Sequence, residues 1–146
     1  MIDGLTAPPP LTAAQSRGNF YVTMIDVEEY VCEDGSCPYQ TWFDNLGVDV
    51  AVTAAKAKTK MTLGAHGNIK TLNEGLFEYR IDYGPGYRIY LTFDGTRLIV
   101  LFGGGDKGNQ SNDIKEARRL LSEYRARKAA KRRAMASPAK GPGRRR

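Results

Sequence analysis

Two turn signals in the middle of the chain constrain its fold more than any other feature. They separate three strand-like segments, which are residues 76–83, 87–93 and 98–102. The first signal is Gly84-Pro85-Gly86, in which proline presets one dihedral angle and glycine accepts a positive φ. The second signal, Asp94-Gly95, is typical of a tight β-hairpin. Strands joined by turns this short pair antiparallel, so this region predicts an antiparallel sheet.

Other segments of the chain predict one more strand on each side of two helices, and a final helix. Residues 19–32 are rich in aromatic residues and valine, which favours a first strand. A short helix is expected from Pro38 to Leu46, and a second over 49–62, where no Gly or Pro intrudes. Residues 69–72 suit a short strand. An apolar stripe predicts a helix that starts at Asp113; its members are Ile114, Ala117, Leu121 and Tyr124.

Together these elements predict an α+β fold. We expect an antiparallel sheet of about four to five strands packed against an N-terminal helical hairpin and a C-terminal helix. Residues 103–109, rich in glycine, are interpreted as a loop. Residues 1–18 are interpreted as a disordered leader, residues 19–125 as the folded domain, and residues 126–146 as a basic, largely disordered tail.

The positive charge of the chain is concentrated at one end. The net charge is +6, yet residues 1–124 hold all 16 acidic residues and only 12 of the 22 Lys and Arg, which gives that part −4. Residues 125–146 carry +10 and no acid. The composition therefore predicts that attraction to polyanions belongs to the tail.

The sequence predicts neither a metal site nor a membrane segment. Cys32 and Cys37 flank a short turn, but a zinc site needs about four ligands and His66 is the chain's single histidine. A pair of reduced thiols is the expected state, and we expect no cofactor. No apolar run is long enough to span a bilayer, and the N-terminus lacks the basic and apolar parts of a secretory signal. These features predict a cytoplasmic location.

Two ordered motifs connect the chain to a known family. One is Gly84-Pro85-Gly86-Tyr87-Arg88; the other is Gly104-Gly105-Asp106-Lys107, followed by Gln110, Asp113 and Ile114. With these motifs the chain resembles the RelE/ParE superfamily of toxins from bacterial toxin–antitoxin pairs, and within it the branch of phage-derived addiction module killer proteins. The resemblance extends upstream to a Gly-x-x-Pro-x-x-x-Trp pattern at residues 35–42.

The resemblance implies the toxin component of a type II toxin–antitoxin system. Toxins similar to RelE inhibit translation by cutting messenger RNA on the ribosome, so the implied activity is that of a metal-independent mRNA endonuclease. The implied partners are the ribosome, messenger RNA and a cognate antitoxin, often of the helix-turn-helix type. In such cleavage the ribose 2′-hydroxyl attacks the adjacent phosphate, which requires a base, an acid and cations that hold the phosphate.

Three basic residues are the candidates for holding that phosphate. The arginine of the Gly-Tyr-Arg turn commonly clamps phosphate in this superfamily, and Arg88 occupies that position; Lys107 corresponds to a basic residue near the end of the central strand. Arg80 lies across the predicted hairpin from Arg88, so both guanidinium groups are expected on one face of the sheet. The alternative is a structural ion cluster in which Glu78 or Asp82 neutralises the two arginines.

The general acid and base are less clearly indicated. RelE-type nucleases use lysines on the strand before the turn, but residues 77–82 contain none. Tyr87 is the candidate catalytic hydroxyl, and Tyr90 and Tyr124 are further options, although each tyrosine also suits a core or rim position. His66 has the chemistry of a base but is predicted to lie in a helix–strand loop.

Other basic and polar residues are candidates for binding nucleic acid. Lys56 and Lys60 share a face of the second helix, where a solvated helix surface is the alternative. Gln110 belongs to the second motif, with loop bracing as its alternative role. Arg132 and Arg133 represent the basic tail, which suits either backbone binding or a solubilising extension.

The resemblance leaves two other functions open. Toxins similar to ParE share the fold but inhibit DNA gyrase by binding to it, without catalysis. An inactive relative is the third possibility. The fold cannot separate these functions, since activity depends on the site.

Overall fold

The computed structural model describes residues 24–136 and shows an α+β fold. The strands are β1 (Asp26–Glu29), β2 (Ile69–Thr71), β3 (Phe77–Ile81), β4 (Tyr87–Asp94) and β5 (Leu98–Asp106). The helices are α1 (Pro38–Asp44), α2 (Val48–Thr62) and α3 (Gln110–Ala136), and a short 3₁₀ turn covers Lys107–Asn109. None of these helices is both long and apolar enough to cross a membrane. The predicted leader, residues 1–18, lies outside the described part.

The five strands form one mixed sheet in the order β1-β5-β4-β3-β2. Strands β2 to β5 pair antiparallel, as the turn signals predict. The prediction of a wholly antiparallel sheet is wrong at β1, which lies parallel to β5 with Asp26 opposite Leu98. No turn connects these two strands directly, so local sequence signals carry no information about their relative direction.

Helices cover both faces of the sheet. α1 and α2 cover one face, where the buried residues include Tyr39, Ala54, Met61, Ile89, Leu91 and Leu101. α3 covers the other face, where the buried residues include Tyr90, Val100, Phe102, Ala117, Leu120 and Leu121. Because side chains alternate along a strand, β4 and β5 supply apolar residues to both layers. The central strands are therefore buried on both sides.

The last strand is longer than the sequence predicts. Residues 103–106, predicted as loop, continue β5 and pair with the start of β4. The register shifts between Tyr90 and Leu91. Beyond this shift, Gly104 lies against the ring of Trp42 on α1, and Gly105 lies against the carboxylate of Asp113 on α3. Because they lack side chains, these two glycines let Trp42 and Asp113 pack closely against opposite faces of the strand.

The final helix also differs from its prediction. α3 begins at Gln110, so Asp113 lies in its first turn and does not cap it. The cap in this region is Asp106, whose side chain accepts a 2.9 Å hydrogen bond from the amide of Gly108. The helix continues through residues 126–136, which were predicted as disordered tail. Residues 137–146 lie outside the described part.

Polar contacts attach α3 to the far end of the sheet. The Tyr124 hydroxyl donates to Asp94, and the Lys128 ammonium lies 2.5 Å from the same carboxylate. Tyr30 follows the end of β1, and its hydroxyl donates a 2.8 Å hydrogen bond to Glu123 on α3. The hydrogen bonds from Lys128 and Tyr124 lower the pKa of Asp94 below its ordinary value of 3.8.

Replacing Gly104 with alanine should destabilise the fold. The added Cβ would lie 2.4 Å from the Trp42 ring, which is packed between α1 and the sheet, and we expect a loss of roughly 2–3 kcal/mol. Gly67→Ala is the control because its Cβ would meet no atom within 4 Å. Urea denaturation of both variants measures the difference; equal midpoints would show that the contact with Trp42 does not constrain this strand.

Asp94→Asn should cost stability in a pH-dependent way. A lowered native pKa means that the carboxylate stabilises the fold above its unfolded value of 3.8 and loses this effect as pH falls through the native pKa. We expect a deficit of about 1 kcal/mol at neutral pH that shrinks below about pH 4. Thermal melts across this range test the expectation. Asp26→Asn, at an exposed carboxylate, should show no such trend.

Candidate anion-binding site

The hairpin formed by β3 and β4 brings two arginines together. Arg80 and Arg88 are directly opposite each other in the register of the two strands. Opposed residues point to the same face of a sheet, which here is the face that α3 covers. The prediction that the two arginines share a face is confirmed, and the register makes them direct neighbours across the hairpin.

A cleft of about 350 Å³ lies at the turn of this hairpin. Its lining includes Arg80, Arg88, Tyr87, Asp82 and the Gly84-Pro85-Gly86 turn. Lys107 lines the same cleft because Tyr87 pairs with Asp106 across β4 and β5. Lys107 is exposed and forms no salt bridge within residues 24–136. Three predicted phosphate-binding cations therefore meet at one cleft.

A buried carboxylate lies between the two arginines. Glu78 is 1% exposed, and its Oε2 accepts a 2.7 Å hydrogen bond from Arg80 Nε. Its Oε1 lies 3.1 Å from Arg88 Nε, without the alignment of a hydrogen bond. The ion cluster that the sequence left open is therefore present, and Glu78 is its acid. One carboxylate shared by two guanidinium groups leaves this part of the cleft positively charged.

The two arginines differ in how far they reach solvent. The side chain of Arg80 is 51% exposed, whereas that of Arg88 is 12% exposed. Arg80 therefore presents its guanidinium group to an incoming anion, and Arg88 forms the floor of the cleft. Asp82 is exposed on the lining and forms no salt bridge with another described residue, so it does not neutralise the arginines.

Tyr87 borders the cleft, but its ring packs against the α1–α2 layer, on the face of the sheet opposite to the arginines. Tyr90 follows on the α3 side, but it is 1% exposed and its hydroxyl has no hydrogen-bond partner within the described residues. Burial, with a smaller effect from the nearby Asp113 carboxylate, raises the pKa of Tyr90 to about 12. Burial also raises the pKa of Asp113, and repulsion from Asp106 adds to this effect. Neither Tyr90 nor Asp113 lines the cleft.

The other proton-transfer candidates lie at the opposite end of the sheet. Tyr124 donates to Asp94, and burial raises its pKa. His66 packs against the ring of Phe93, 5.4 Å between centroids, on the α1–α2 face. Neither residue lines the cleft, so the structure does not support the suggestion that either acts there.

The predicted nucleic-acid-binding residues do not converge on the cleft. Lys56 and Lys60 are exposed on α2, on the opposite face of the sheet from the arginines. Gln110 is the first residue of α3 and is half-buried. Arg132 and Arg133 lie near the other end of α3, roughly 30 Å along the helix from Gln110. These residues form separate surfaces.

The sequence indicated Glu78 only as an alternative and placed Asp113 only at the start of the final helix. Side-chain alternation along the strand predicts that Glu78 lies on the same face as Arg80. The alternation does not predict that α3 covers this face and buries Glu78. Asp113 packs on the backbone of β5 because Gly105 has no side chain beneath it. Among residues 24–136 there is no group of three or more His, Cys, Asp or Glu that could hold a metal, and both cysteines are free thiols.

Comparison with known proteins relates this chain to one of undetermined function. An uncharacterized protein of Haemophilus influenzae is 41% identical over 86 residues, which cover 58% of this chain and 87% of that protein. The chain belongs to the same family as this Haemophilus protein. No family model matches the chain.

Glu78→Gln should both destabilise the fold and strengthen anion binding. The change leaves Arg88 largely buried without its counter-charge, so we expect a loss of about 2 kcal/mol. Added inorganic phosphate should then raise the melting temperature of the variant more than that of the parent, because two cations are no longer neutralised. Asp82→Asn, at an exposed carboxylate of the same cleft, is the control and should change stability by less than about 0.5 kcal/mol.

Proposed function

We propose that this protein, with its Haemophilus relative, belongs to the RelE/ParE superfamily and is the toxin of a type II toxin–antitoxin pair. In this proposal it binds a phosphodiester of messenger RNA in the cleft and cleaves it on the ribosome. The observation that carries the proposal is the meeting of Arg80, Arg88 and Lys107 at one cleft beside the Gly-Pro-Gly turn. Arginine binds two phosphate oxygens at once and stays charged at any working pH.

The proposed reaction needs no metal. The ribose 2′-oxygen forms a bond to phosphorus, the bond from phosphorus to the 5′-oxygen of the next nucleotide breaks, and a 2′,3′-cyclic phosphate and a 5′-hydroxyl result. One proton leaves the 2′-hydroxyl and one reaches the 5′-oxygen. Arg80 and Lys107 hold the phosphate oxygens. Arg88, on the floor of the cleft, stabilises the negative charge that develops on these oxygens in the transition state.

Tyr87 is the proposed proton-transfer group at the cleft. It borders the cleft, next to Arg88 in sequence and next to Lys107 through the pairing of β4 with β5, and its ring packs on the α1–α2 side of the sheet. Strand β3 has no lysine, so the base that RelE-type enzymes place there has no counterpart in this chain. The ribosome supplies the geometry of the bound codon in this proposal, which makes the cleavage dependent on it.

One observation favours a second function. Glu78 already neutralises part of the charge on Arg80 and Arg88, which suits a rigid binding surface as well as an enzyme. A non-catalytic inhibitor of DNA gyrase, similar to ParE, would use this face to bind protein. Both functions require a cognate antitoxin, which we propose is of the helix-turn-helix type, and both place the protein in the cytoplasm.

Arg88→Ala should abolish growth arrest when the protein is expressed from an inducible promoter. The variant removes the cation on the floor of the cleft, and a loss of activity of about 100-fold or more is expected from such a position. Arg97→Ala is the control because Arg97 is exposed in the β4–β5 turn, away from the cleft. Primer extension on ribosome-bound transcripts is the readout for cleavage.

Three outcomes separate the functions. Cleavage that requires Arg88 and not Arg97 supports the endonuclease. Inhibition of DNA supercoiling without transcript cleavage supports the gyrase inhibitor. Growth arrest by well-expressed Arg88→Ala protein, or no arrest by the parent, contradicts the role of the cleft.

A further inference from the structure

The last three turns of α3 extend beyond the body of the protein. We name residues 125–136 the basic arm; its cations are Arg125, Arg127, Lys128, Lys131, Arg132 and Arg133, and it holds no acid. Lys128, in the first turn of the arm, forms an ion pair with Asp94 on the sheet. Residues 130–136 are all exposed. This part of the helix is therefore accessible to a binding partner.

The cations of the arm continue the face of α3 that packs on the sheet. Leu120, Leu121 and Tyr124 belong to the packed layer, and the next residues on this face are Arg127, Lys128, Lys131 and Arg132. Past the end of the sheet, the apolar stripe thus becomes a cationic one. A pocket of about 540 Å³ lies beneath this cationic stripe. Its lining residues are Glu28, Tyr30, Val31, Tyr124, Arg127, Lys128 and Lys131.

Acidic residues lie close to Arg127 and Lys128 in the first turn of the arm. Arg127 donates to the Tyr30 hydroxyl and the Val31 carbonyl, with Glu123 4.0 Å away, and Lys128 binds Asp94. Glu28 on the lining adds one more negative charge. By contrast, Lys131 and Arg132 form no hydrogen bond or salt bridge within the described residues. The unneutralised charge therefore lies where the helix projects.

This arrangement carries an energetic cost in the free protein. Arg127 and Lys131 are four residues apart, as are Lys128 and Arg132, and like charges at this spacing destabilise a helix. Residues 130–136 are exposed, so helix propensity and the favourable position of cations near a helix C-terminus are needed to offset that cost. A polyanion bound along this face would remove the repulsion.

We propose that the basic arm is a second nucleic-acid-binding surface, in which Lys131 and Arg132 bind phosphates of an RNA backbone. The surface is separate from the cleft, because the body of α3 lies between them, and it is independent of the reaction proposed there. Residues one helical turn apart are about 6 Å from each other, which suits successive phosphates of one strand. The ten residues after the arm add four cations and no acid to the same end of the chain.

The composition of the arm disfavours a membrane surface as its partner. A helix that lies in a bilayer interface needs large apolar residues opposite its charges. The uncharged residues of the arm are Ala126, Ala129, Ala130, Ala134, Met135 and Ala136. Met135, which is 71% exposed, is the single large apolar side chain among them. The arm therefore fits a charged, hydrophilic partner.

The test compares two double variants of the full chain. Lys131→Gln with Arg132→Gln removes two cations of the arm, and Lys70→Gln with Lys115→Gln removes two exposed cations elsewhere on the protein as a matched control. Fluorescence anisotropy with labelled polyuridylate measures affinity across a salt titration. Each lost phosphate contact should reduce the log–log salt slope by about 0.7, so the arm variant should lose about 1.4 and bind roughly 10-fold more weakly at low salt. Circular dichroism verifies that both variants are folded.

A slope equal to that of the parent, or an equal loss in the Lys70 and Lys115 control, would overturn the proposal. Polyglutamate is the second probe: if it binds as tightly as the RNA and depends equally on Lys131 and Arg132, the arm is an acidic-peptide surface instead. The loss caused by Lys131→Gln with Arg132→Gln should be the same when Arg88 is alanine, because the two surfaces are separate. Failure of the endonuclease proposal would thus appear as uncleaved transcripts, with the salt slope of the arm unaffected.

Discussion

The carboxylate of Glu78 is the interaction on which the candidate site depends. Arg80 and Arg88 are directly opposite each other on adjacent strands, a position in which two like charges would repel at about 5 Å between their Cβ atoms. Glu78 lies 2.7 Å from Arg80 Nε and 3.1 Å from Arg88 Nε, so its charge offsets the repulsion between the two arginines on a partly buried face of the sheet. Because it supplies one negative charge for two positive ones, the pair stays cationic.

The rest of the molecule places this cluster at an end of the sheet. α3 covers the apolar part of the same face, and the helix begins beside the cleft, where Asp106 caps the preceding turn. From there the helix crosses the sheet and leaves it after Lys128. The two cationic regions, the cleft and the basic arm, therefore lie at opposite ends of one helix. Between them the described part of the chain is mostly apolar core, which gives each region its own electrostatic environment.

The outcome of the sequence predictions follows from the range of the signals they used. Turn residues predicted the β3–β4 hairpin, and alternation predicted that Arg80 and Arg88 share a face. The Gly-rich segment after Phe102 was misread as a loop because glycine suits both a loop and a strand packed closely on both faces. The helix beyond Tyr124 was missed because its apolar stripe ends, although Ala, Lys and Arg retain high helix propensity.

The sequence by itself determined the local elements and the pairing of the three consecutive strands, since turn geometry and side-chain alternation act between neighbours in the chain. It also determined that positive charge collects after residue 124. Tertiary structure alone decided that β1 joins the sheet parallel to β5, that Glu78 is buried between two arginines, and that Lys107 meets them at a cleft. These features need contacts between segments far apart in sequence. The physical reason is that burial and ion pairing are set by which faces pack together, and no local pattern specifies that.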